Sequence, residues 1–381
     1  MGDVNRAGLV RLRHMLVSSL APPRVFRHAG MFLSIAIGLA ACAGSAPLGT
    51  SASDAGAATP PDPEAGASST GELANAASPS SCAAGETPLA PRVLASGGFT
   101  GLALVGDSVI STGDGRVERI PLDGGPPTTL ASMETAYGLV VAGGSAYFMG
   151  EAQPTGLYSV PLSGGEPTQV LETWFEIGRS TTDGAAIYFP AIGGGVTRFS
   201  VADRTHTTLA LPVALLIDAI AVLDGVVYVA AQDGSSMSAT NGVIVKLPAA
   251  GGAPTTLVAD IGHPWNLIAD RGGLTWLQEG PTGNFSVSPR VVRSGLDGRS
   301  VSTLVDHSAR SMVVDGDTLY IAWDGISKVP LAGGAEVTLV PHLQAPGMLA
   351  VSGGSAAWVD PDPSSKAKSD PTVPTLATIC W

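Results

Sequence analysis

This chain of 381 residues has few charged side chains and none of the short motifs by which common enzyme classes are recognised. Only 14% of its residues are charged and 5% are aromatic. It contains no G-x-S-x-G, no H-E-x-x-H, no phosphate-binding P-loop and no Cys-x-x-Cys. These absences argue against a serine hydrolase, a zinc peptidase, a nucleotide-hydrolysing enzyme and a thiol oxidoreductase.

Basic residues are also in the minority. The chain has 20 Lys and Arg against 32 Asp and Glu, a formal net charge of −12. Residues 1–41 hold five arginines and one acid, Asp3, so the rest of the chain is more acidic still. Because an acidic surface repels phosphate backbones, we expect no nucleic-acid partner. With 49 Gly and 29 Pro, the sequence predicts many turns and few long helices.

The N-terminal region has the plan of a secretory signal. Arg24 and Arg27 precede the apolar run MFLSIAIGLAAC at 31–42, which is too short to span a membrane. Its end, Leu39-Ala40-Ala41-Cys42, resembles the bacterial lipobox. This resemblance implies a lipoprotein signal peptide over 1–41 and acyl chains on Cys42 that anchor the protein to a membrane. An ordinary cleaved signal and an uncleaved anchor are the alternatives.

A tether follows the lipobox cysteine. Residues 43–81 consist mainly of Ser, Ala, Gly, Thr and Pro with almost no large apolar side chain. Such a stretch cannot bury enough surface to offset its ordering entropy. We therefore predict that 42–89 form the lipidated cysteine and a disordered linker. Ala43 in place of Asp favours the outer membrane or cell surface within the cell envelope.

One phrase recurs along the rest of the chain: a strand, a glycine-rich turn and a second strand. Its clearest copies are RIPLDGGPPTTL from Arg119, SVPLSGGEPTQV from Ser159, KLPAAGGAPTTL from Lys246 and KVPLAGGAEVTL from Lys328, with looser copies from Phe199 and Arg293. Successive copies lie 35 to 48 residues apart. A β-rich repeat of about 40 residues predicts the four-stranded blades of a β-propeller.

A different hairpin precedes each copy. Its first strand is continuously apolar in most copies, which predicts a strand buried on both faces. Its second strand usually carries an aromatic residue: Tyr147, Tyr188, Tyr228, Trp276, Tyr320 or Trp358. Pro127, Pro167 and Pro254 begin the last strand of their repeats, which predicts that this strand is the outer edge of each blade.

The two chain ends supply the missing strands of one blade. The first hairpin occurs seven times, but the second is complete only six times. Residues 90–96 match an outermost strand and 371–381 match a third strand. We therefore predict an all-β fold over 90–381, a seven-bladed β-propeller closed by N- and C-terminal strands, with six blades as the alternative.

Two cysteines lie beside these closing strands. Cys82 precedes the first and Cys380 is near the end of the last. Closure brings the two ends together, and an extracytoplasmic compartment is oxidising. We therefore predict a Cys82–Cys380 disulfide, with two separate thiols as the alternative.

Several of these pieces resemble the YWTD and NHL class of propellers, over residues 90–381. The matching pieces are Tyr147-Phe148, Tyr320-Ile321-Ala322-Trp323-Asp324, Leu122-Asp123-Gly124 and Leu296-Asp297-Gly298. The full Tyr-Trp-Thr-Asp string is absent, and YWTD propellers have six blades. As a whole the chain is similar to bacterial lipoproteins with Gly-Gly-Pro propeller repeats. The resemblance implies a fold but no particular activity, because propellers host unrelated functions.

Propellers usually bind ligands on the face where the chain crosses from the outermost strand of one blade to the innermost strand of the next. We call this the crossover face. The loops between second and third strands share it. The binding candidates on this face are Trp174, Glu176, His263, Trp265, Asn266, His307 and Arg310. Asp218 is a further residue that could line the channel.

Three of these loops contain a histidine: His263, His307 and His342. Imidazoles in neighbouring loops suit a divalent metal site, or a general base with Glu279 nearby. The alternative, which we favour, is three polar residues in solvated loops, with no cofactor.

We therefore expect a monomeric, membrane-anchored propeller that binds a protein, peptide or glycan. The alternative is a propeller enzyme, a metal-assisted lyase or a lactonase-type hydrolase, that uses the same face.

Overall fold

The computed structural model describes residues 90–151, 155–173, 180–191, 194–212, 215–234, 240–280, 288–343, 346–361 and 374–380. All of them belong to the unit Gly71–Trp381. The predictions for the signal peptide, Cys42, the linker and Cys82 lie outside these residues and stay predictions. Within the described ranges the regular structure is β-strand throughout, and no helix is long and apolar enough to cross a membrane.

The strands form seven antiparallel sheets of four strands each. The innermost strands are β2 (Phe99–Val105), β6 (Tyr137–Ala142), β10 (Thr181–Thr182), β14 (Leu215–Leu223), β18 (Pro264–Asp270), β22 (Ser311–Asp315) and β26 (Gly347–Ser352). The second strands are β3 (Ser108–Gly113), β7 (Ser145–Gly150), β11 (Ala186–Pro190), β15 (Val226–Asp233), β19 (Gly273–Gln278), β23 (Thr318–Ala322) and β27 (Ser355–Pro361).

The outer half of each sheet completes the blade. The third strands are β4 (Arg116–Pro121), β8 (Gly156–Pro161), β12 (Val196–Ser200), β16 (Gly242–Pro248), β20 (Arg290–Ser294), β24 (Gly325–Pro330) and β28 (Pro374–Cys380). The outermost strands are β5 (Thr128–Ser132), β9 (Thr168–Glu172), β13 (His206–Leu209), β17 (Thr255–Ile261), β21 (Ser302–Val305), β25 (Val337–Pro341) and β1 (Arg92–Ser96). We number the blades I to VII in the order of their innermost strands.

The innermost strands close a ring. Each contacts the innermost strand of the next blade along the chain, and β26 of blade VII contacts β2 of blade I. The predicted seven-bladed β-propeller is therefore confirmed, and the six-bladed alternative is wrong.

Blade VII is built from both ends of the described chain. Its strand order is β1-β28-β27-β26, and Arg92 of β1 lies opposite Thr378 of β28. The backbone N–H of Gly97 donates to the carbonyl of Pro374 at 3.0 Å. The closure predicted from the repeat count is confirmed. The other two cysteines lie outside the described residues, so the Cys82–Cys380 disulfide stays a prediction.

The recurring glycine-rich phrase forms the hairpin between third and fourth strands, as predicted. In blade I the N–H of Gly124 donates to the carbonyl of Pro121 at 3.1 Å, and Gly124 has a φ of 81°. This backbone conformation favours glycine, which explains why the turn repeats a Gly at this point. The strand that follows is the outermost one, where the preceding proline removes no ladder hydrogen bond.

Seven hydrophobic clusters hold the described blades together, and each cluster joins two adjacent blades. Strand β27 shows how. Ala356 and Trp358 pack toward blade VI, whereas Ala357 and Val359 pack toward blade I. Because successive side chains of a strand point to opposite faces, each blade contributes to the cores on both of its sides.

The second strands are more buried than the innermost strands, for which full burial was predicted. Most of β3 and β7 is buried, whereas β2 and β22 are mainly half-buried. The prediction that the innermost strand is buried on both faces is therefore wrong for most blades. The innermost strands border the central channel, whereas the second strands have a neighbouring strand on each side and a blade against each face.

The repeated aromatic residues occupy two different faces. Tyr147, Tyr188, Tyr228 and Tyr320 all pack toward the following blade. Trp276 and Trp358 pack toward the preceding blade. The strand pairings place each tryptophan one residue later than the tyrosines, and a shift of one residue reverses the face. Burial raises the pKa of Tyr147, Tyr228 and Tyr320 above its ordinary value.

Leu376 provides a test of the closing interface. It is 0% exposed in the cluster between blades VII and I. We expect Leu376→Ala to lower the free energy of unfolding by about 2–5 kcal/mol, as a buried Leu→Ala change does. Val93→Ala in the neighbouring strand, at a residue 61% exposed, should change it by less than about 0.5 kcal/mol. Urea unfolding of both variants measures the difference. Equal losses of unfolding free energy would contradict the role of Leu376 in the interface between blades VII and I.

Candidate binding site at the crossover face

Bulges interrupt the innermost strands close to their first residues. Register shifts occur in β2, β6, β14, β18 and β26. A bulge inserts a residue that has no opposite partner and redirects its side chain. In β14 this residue is Asp218, and in β18 the bulge includes Asn266. Because every innermost strand begins at the crossover face, these redirected side chains lie near the same end of the channel.

A cavity of about 170 Å³ lies among these strands. It is lined by residues of β14, β18 and β22, together with one residue just before β10. The lining residues are Ser180, Asp218, Ala219, Ile220, Asn266, Leu267, Ile268 and Met312. Four consecutive blades, III to VI, thus contribute to it, which places the cavity at the centre of the ring.

Asp218 is the charged group of the cavity wall. Its side chain is only 5% exposed, and its Oδ2 lies 2.8 Å from Nε2 of His263. The side-chain amide of Gln232 donates to the same oxygen at 3.2 Å. Asp218 and Gln232 come from blade IV and His263 from the start of blade V, so the carboxylate is held across a blade interface.

His263 is in turn positioned by its own surroundings. Its ring centroid lies 4.3 Å from that of Trp265, and its Nδ1 lies 3.9 Å from Oε2 of Glu279. The N–H of Glu279 donates to the carbonyl of His263 at 2.9 Å. These contacts hold the imidazole against Asp218 and keep its second nitrogen near an acid that is 45% exposed.

Two further polar groups line the cavity. The Oγ of Ser180 is buried and has no hydrogen-bond partner among the described residues. Asn266 has a φ of 47°, and its amide nitrogen donates to the carbonyl of Arg310 at 3.4 Å. Asparagine tolerates this left-handed conformation better than most residues. Together with Asp218, these residues give the cavity lining a carboxylate, a hydroxyl and an amide.

The other predicted site residues lie elsewhere. Trp265 packs against the core between blades V and VI. The guanidinium of Arg310 lies 5.3 Å from the ring centroid of Trp323, a cation–π contact. Nε2 of His307 lies 2.9 Å from Oε2 of Glu336, and His342 is exposed. Trp174 and Glu176 lie outside the described residues, so their role stays a prediction.

The structure does not gather the three histidines into one site. His263 pairs with Asp218, and His307 pairs with Glu336 in the hairpin of blade VI. No cluster of three or more His, Cys, Asp or Glu side chains that could hold a metal occurs within the described part of the chain. Loops that are neighbours around a ring can still turn their side chains toward different strands.

Sequence reasoning missed Gln232, Ser180 and Met312 as parts of the site. Asp218 carried the clearest signal, because it is a single acid within the apolar run LLIDAIAVL of β14. A charged residue inside a buried strand is rare unless it is paired or functional. Gln232, Ser180 and Met312 carry no comparable signal.

The comparisons with known proteins agree with the fold. No protein-family model matches the chain, and no curated protein matches it. A puromycin-hydrolyzing peptidase from Mycobacterium tuberculosis is similar in structure, with a TM-score of 0.54 and 14% identity over 72% of this chain and 50% of that chain. The computationally designed Ika8 protein has a TM-score of 0.50 and 12% identity, over 73% of this chain and 82% of that chain.

TolB from Acinetobacter baumannii has a lower TM-score of 0.44, with 14% identity over 57% of each chain. Likeness at such identities concerns the fold alone. The class that the fold and the comparisons support is the β-propeller.

The three histidines give a graded test of this geometry. We expect His263→Ala to lower the free energy of unfolding by about 1–3 kcal/mol, because it removes the imidazole partner of the buried carboxylate of Asp218, 2.8 Å away. His307→Ala, which breaks a more exposed pair, should cost less than about 1 kcal/mol. His342→Asn, which suits the φ of 59° at that exposed position, should change it by less than about 0.5 kcal/mol.

Denaturant unfolding of the three variants gives the order. Equal costs at 263 and 342 would contradict the assignment of His263 to the buried pair.

Proposed function

We propose that this protein is a lipid-anchored, extracytoplasmic β-propeller that binds a protein, peptide or glycan ligand at the centre of its crossover face. The observation that carries the proposal is the central cavity. A carboxylate that is 5% exposed is held in its wall by residues of two blades. The carboxylate is paired with His263 and Gln232, and an open cavity beside such a nearly buried polar group supports a ligand site.

The anchor is the second part of the proposal. The lipobox around Cys42 supports attachment to the cell envelope, at the outer membrane or cell surface, and the linker up to residue 89 separates the propeller from the bilayer. A Cys82–Cys380 disulfide is part of the proposal, and it suits the oxidising compartment outside the cytoplasm. We propose that the propeller acts as a monomer, without a nucleic-acid partner.

Replacing the lipobox cysteine tests the anchor. The wild-type chain produced in a Gram-negative host should fractionate with membranes, and mass spectrometry should find acyl groups on an N-terminal Cys42. Cys42→Ser should carry no lipid, because the hydroxyl of serine is not the thiol that receives it. Cys82→Ser is the matched control and should keep the acyl groups. An unmodified wild-type N-terminus would contradict the anchor.

Narrowing the cavity tests the binding site. We expect the purified domain from residue 82 onward to bind at least one member of a panel of short peptides and oligosaccharides, measured by saturation-transfer NMR. Ser180→Phe places a ring at the cavity wall and should abolish that signal. Ser302→Phe is the matched control, since Ser302 is exposed on outermost strand β21, and it should bind like wild type.

If no probe distinguishes Ser180→Phe from wild type, the proposed binding site is wrong. Thermal unfolding of both variants establishes that each is folded.

Catalysis is the second candidate, and one observation favours it. A histidine oriented by a carboxylate at 2.8 Å can serve as a general base, and His263 stands in this relation to Asp218 with Glu279 nearby. A divalent metal would then assist a lyase or a lactonase-type hydrolase. Mass spectrometry of the bound probe separates the two functions, because a binding protein returns the probe unchanged.

A further inference from the structure

We infer that the central cavity takes a protonated amino group. This inference rests on the proposed function, since it names the ligand class of the same site. The chemistry is that of a primary ammonium, and it has two sources in a polypeptide: the N-terminal amine and the side chain of lysine.

Charge is the first argument. Asp218 contributes a carboxylate to the wall, and none of the residues that line the cavity is Lys or Arg. Gln232, one of its partners, is neutral. His263 adds a positive charge only when its ring is protonated. The lining therefore favours a cation, and attraction to a carboxylate that is only 5% exposed is stronger than attraction in bulk solvent.

Hydrogen bonding is the second argument. An ammonium group has three donors and no acceptor. The cavity presents oxygen acceptors from three different strands or loops: the carboxylate of Asp218, the buried Oγ of Ser180 and the amide group of Asn266. The amide nitrogen of Asn266 donates to the carbonyl of Arg310, so the acceptor of this side chain is its oxygen. Three oxygens on residues that line one cavity would match three N–H donors.

Size and lining are the third argument. Pockets for drug-sized ligands measure about 300–1,000 Å³, and this cavity is about 170 Å³. It therefore holds a side chain or a terminal residue rather than a whole sugar chain. Its lining surface is mainly polar, although Ile220, Leu267 and Met312 are among the residues that line it. A mainly polar lining suits the charged end of such a residue.

Four small probes test the inference by isothermal titration calorimetry. Ala-Ala-amide carries an N-terminal amine, Nα-acetyl-lysine-amide carries a side-chain amine, N-acetyl-Ala-Ala-amide carries neither, and propionate carries the opposite charge. We expect one or both amines to bind, and the acetylated dipeptide and propionate not to bind. The amine that binds identifies the source of the ligand. Equal binding of the acetylated dipeptide, or binding of propionate in place of the amines, would overturn the inference.

Variants assign the binding to the cavity. Asp218→Asn should weaken amine binding by at least about tenfold, since it removes a charge-assisted hydrogen bond. Asp270→Asn is the matched control. Asp270 ends β18, and its carboxylate oxygens accept from Arg293 at 2.7 Å each, so this change should leave amine affinity unaltered. Amine binding that survives Asp218→Asn would contradict the site.

A milder variant covers the case in which Asp218→Asn does not fold. Ser180→Ala removes only a hydroxyl and should weaken amine binding severalfold, with thermal unfolding unchanged. If no amine binds but another probe distinguishes wild type from Ser180→Phe, the ligand class is wrong and the binding function stands. If no probe of any kind binds, both are wrong.

Discussion

Burial of apolar surface between blades is the interaction on which this structure depends. Each second strand sends alternate side chains into the cores on its two sides, as Trp358 and Val359 of β27 do toward blades VI and I. No blade can therefore bury its faces alone, and the first and last blades would each leave one face in water. Closing the ring covers both of these faces. The pairing of β1 with β28 holds the ring closed, because blade VII then contains strands from both ends of the described chain.

The same arrangement explains why the polar site lies at the centre of the ring. The innermost strands have a channel on one side, so they are less buried than the second strands and can accept bulges without losing a core. Asp218 sits in such a bulge, and its hydrogen-bonding partners come from its own blade and the next. The ends of the innermost strands can thus hold a polar site, because the seven apolar interfaces between blades stabilise the ring around them.

Repeats and turns made the fold predictable. The glycines and prolines of the recurring hairpin are local signals, since a φ of 81° at Gly124 or a missing N–H before an outermost strand does not depend on the rest of the chain. The aromatic pattern was only half predictable. Trp276 and Trp358 fit the same sequence position as the tyrosines, but strand register displaces them by one residue and turns them to the other face.

The sequence by itself determined the number of blades, their closure by the two ends and the acidic character of the protein, because each of these follows from counting residues and repeats. Only the tertiary structure decided which polar residues meet. His263, His307 and His342 lie in equivalent loops, yet His263 joins Asp218 at the centre while His307 joins Glu336 in the hairpin of blade VI. Such contacts depend on strand bulges and on the directions of side chains from different blades. Both are non-local consequences of packing.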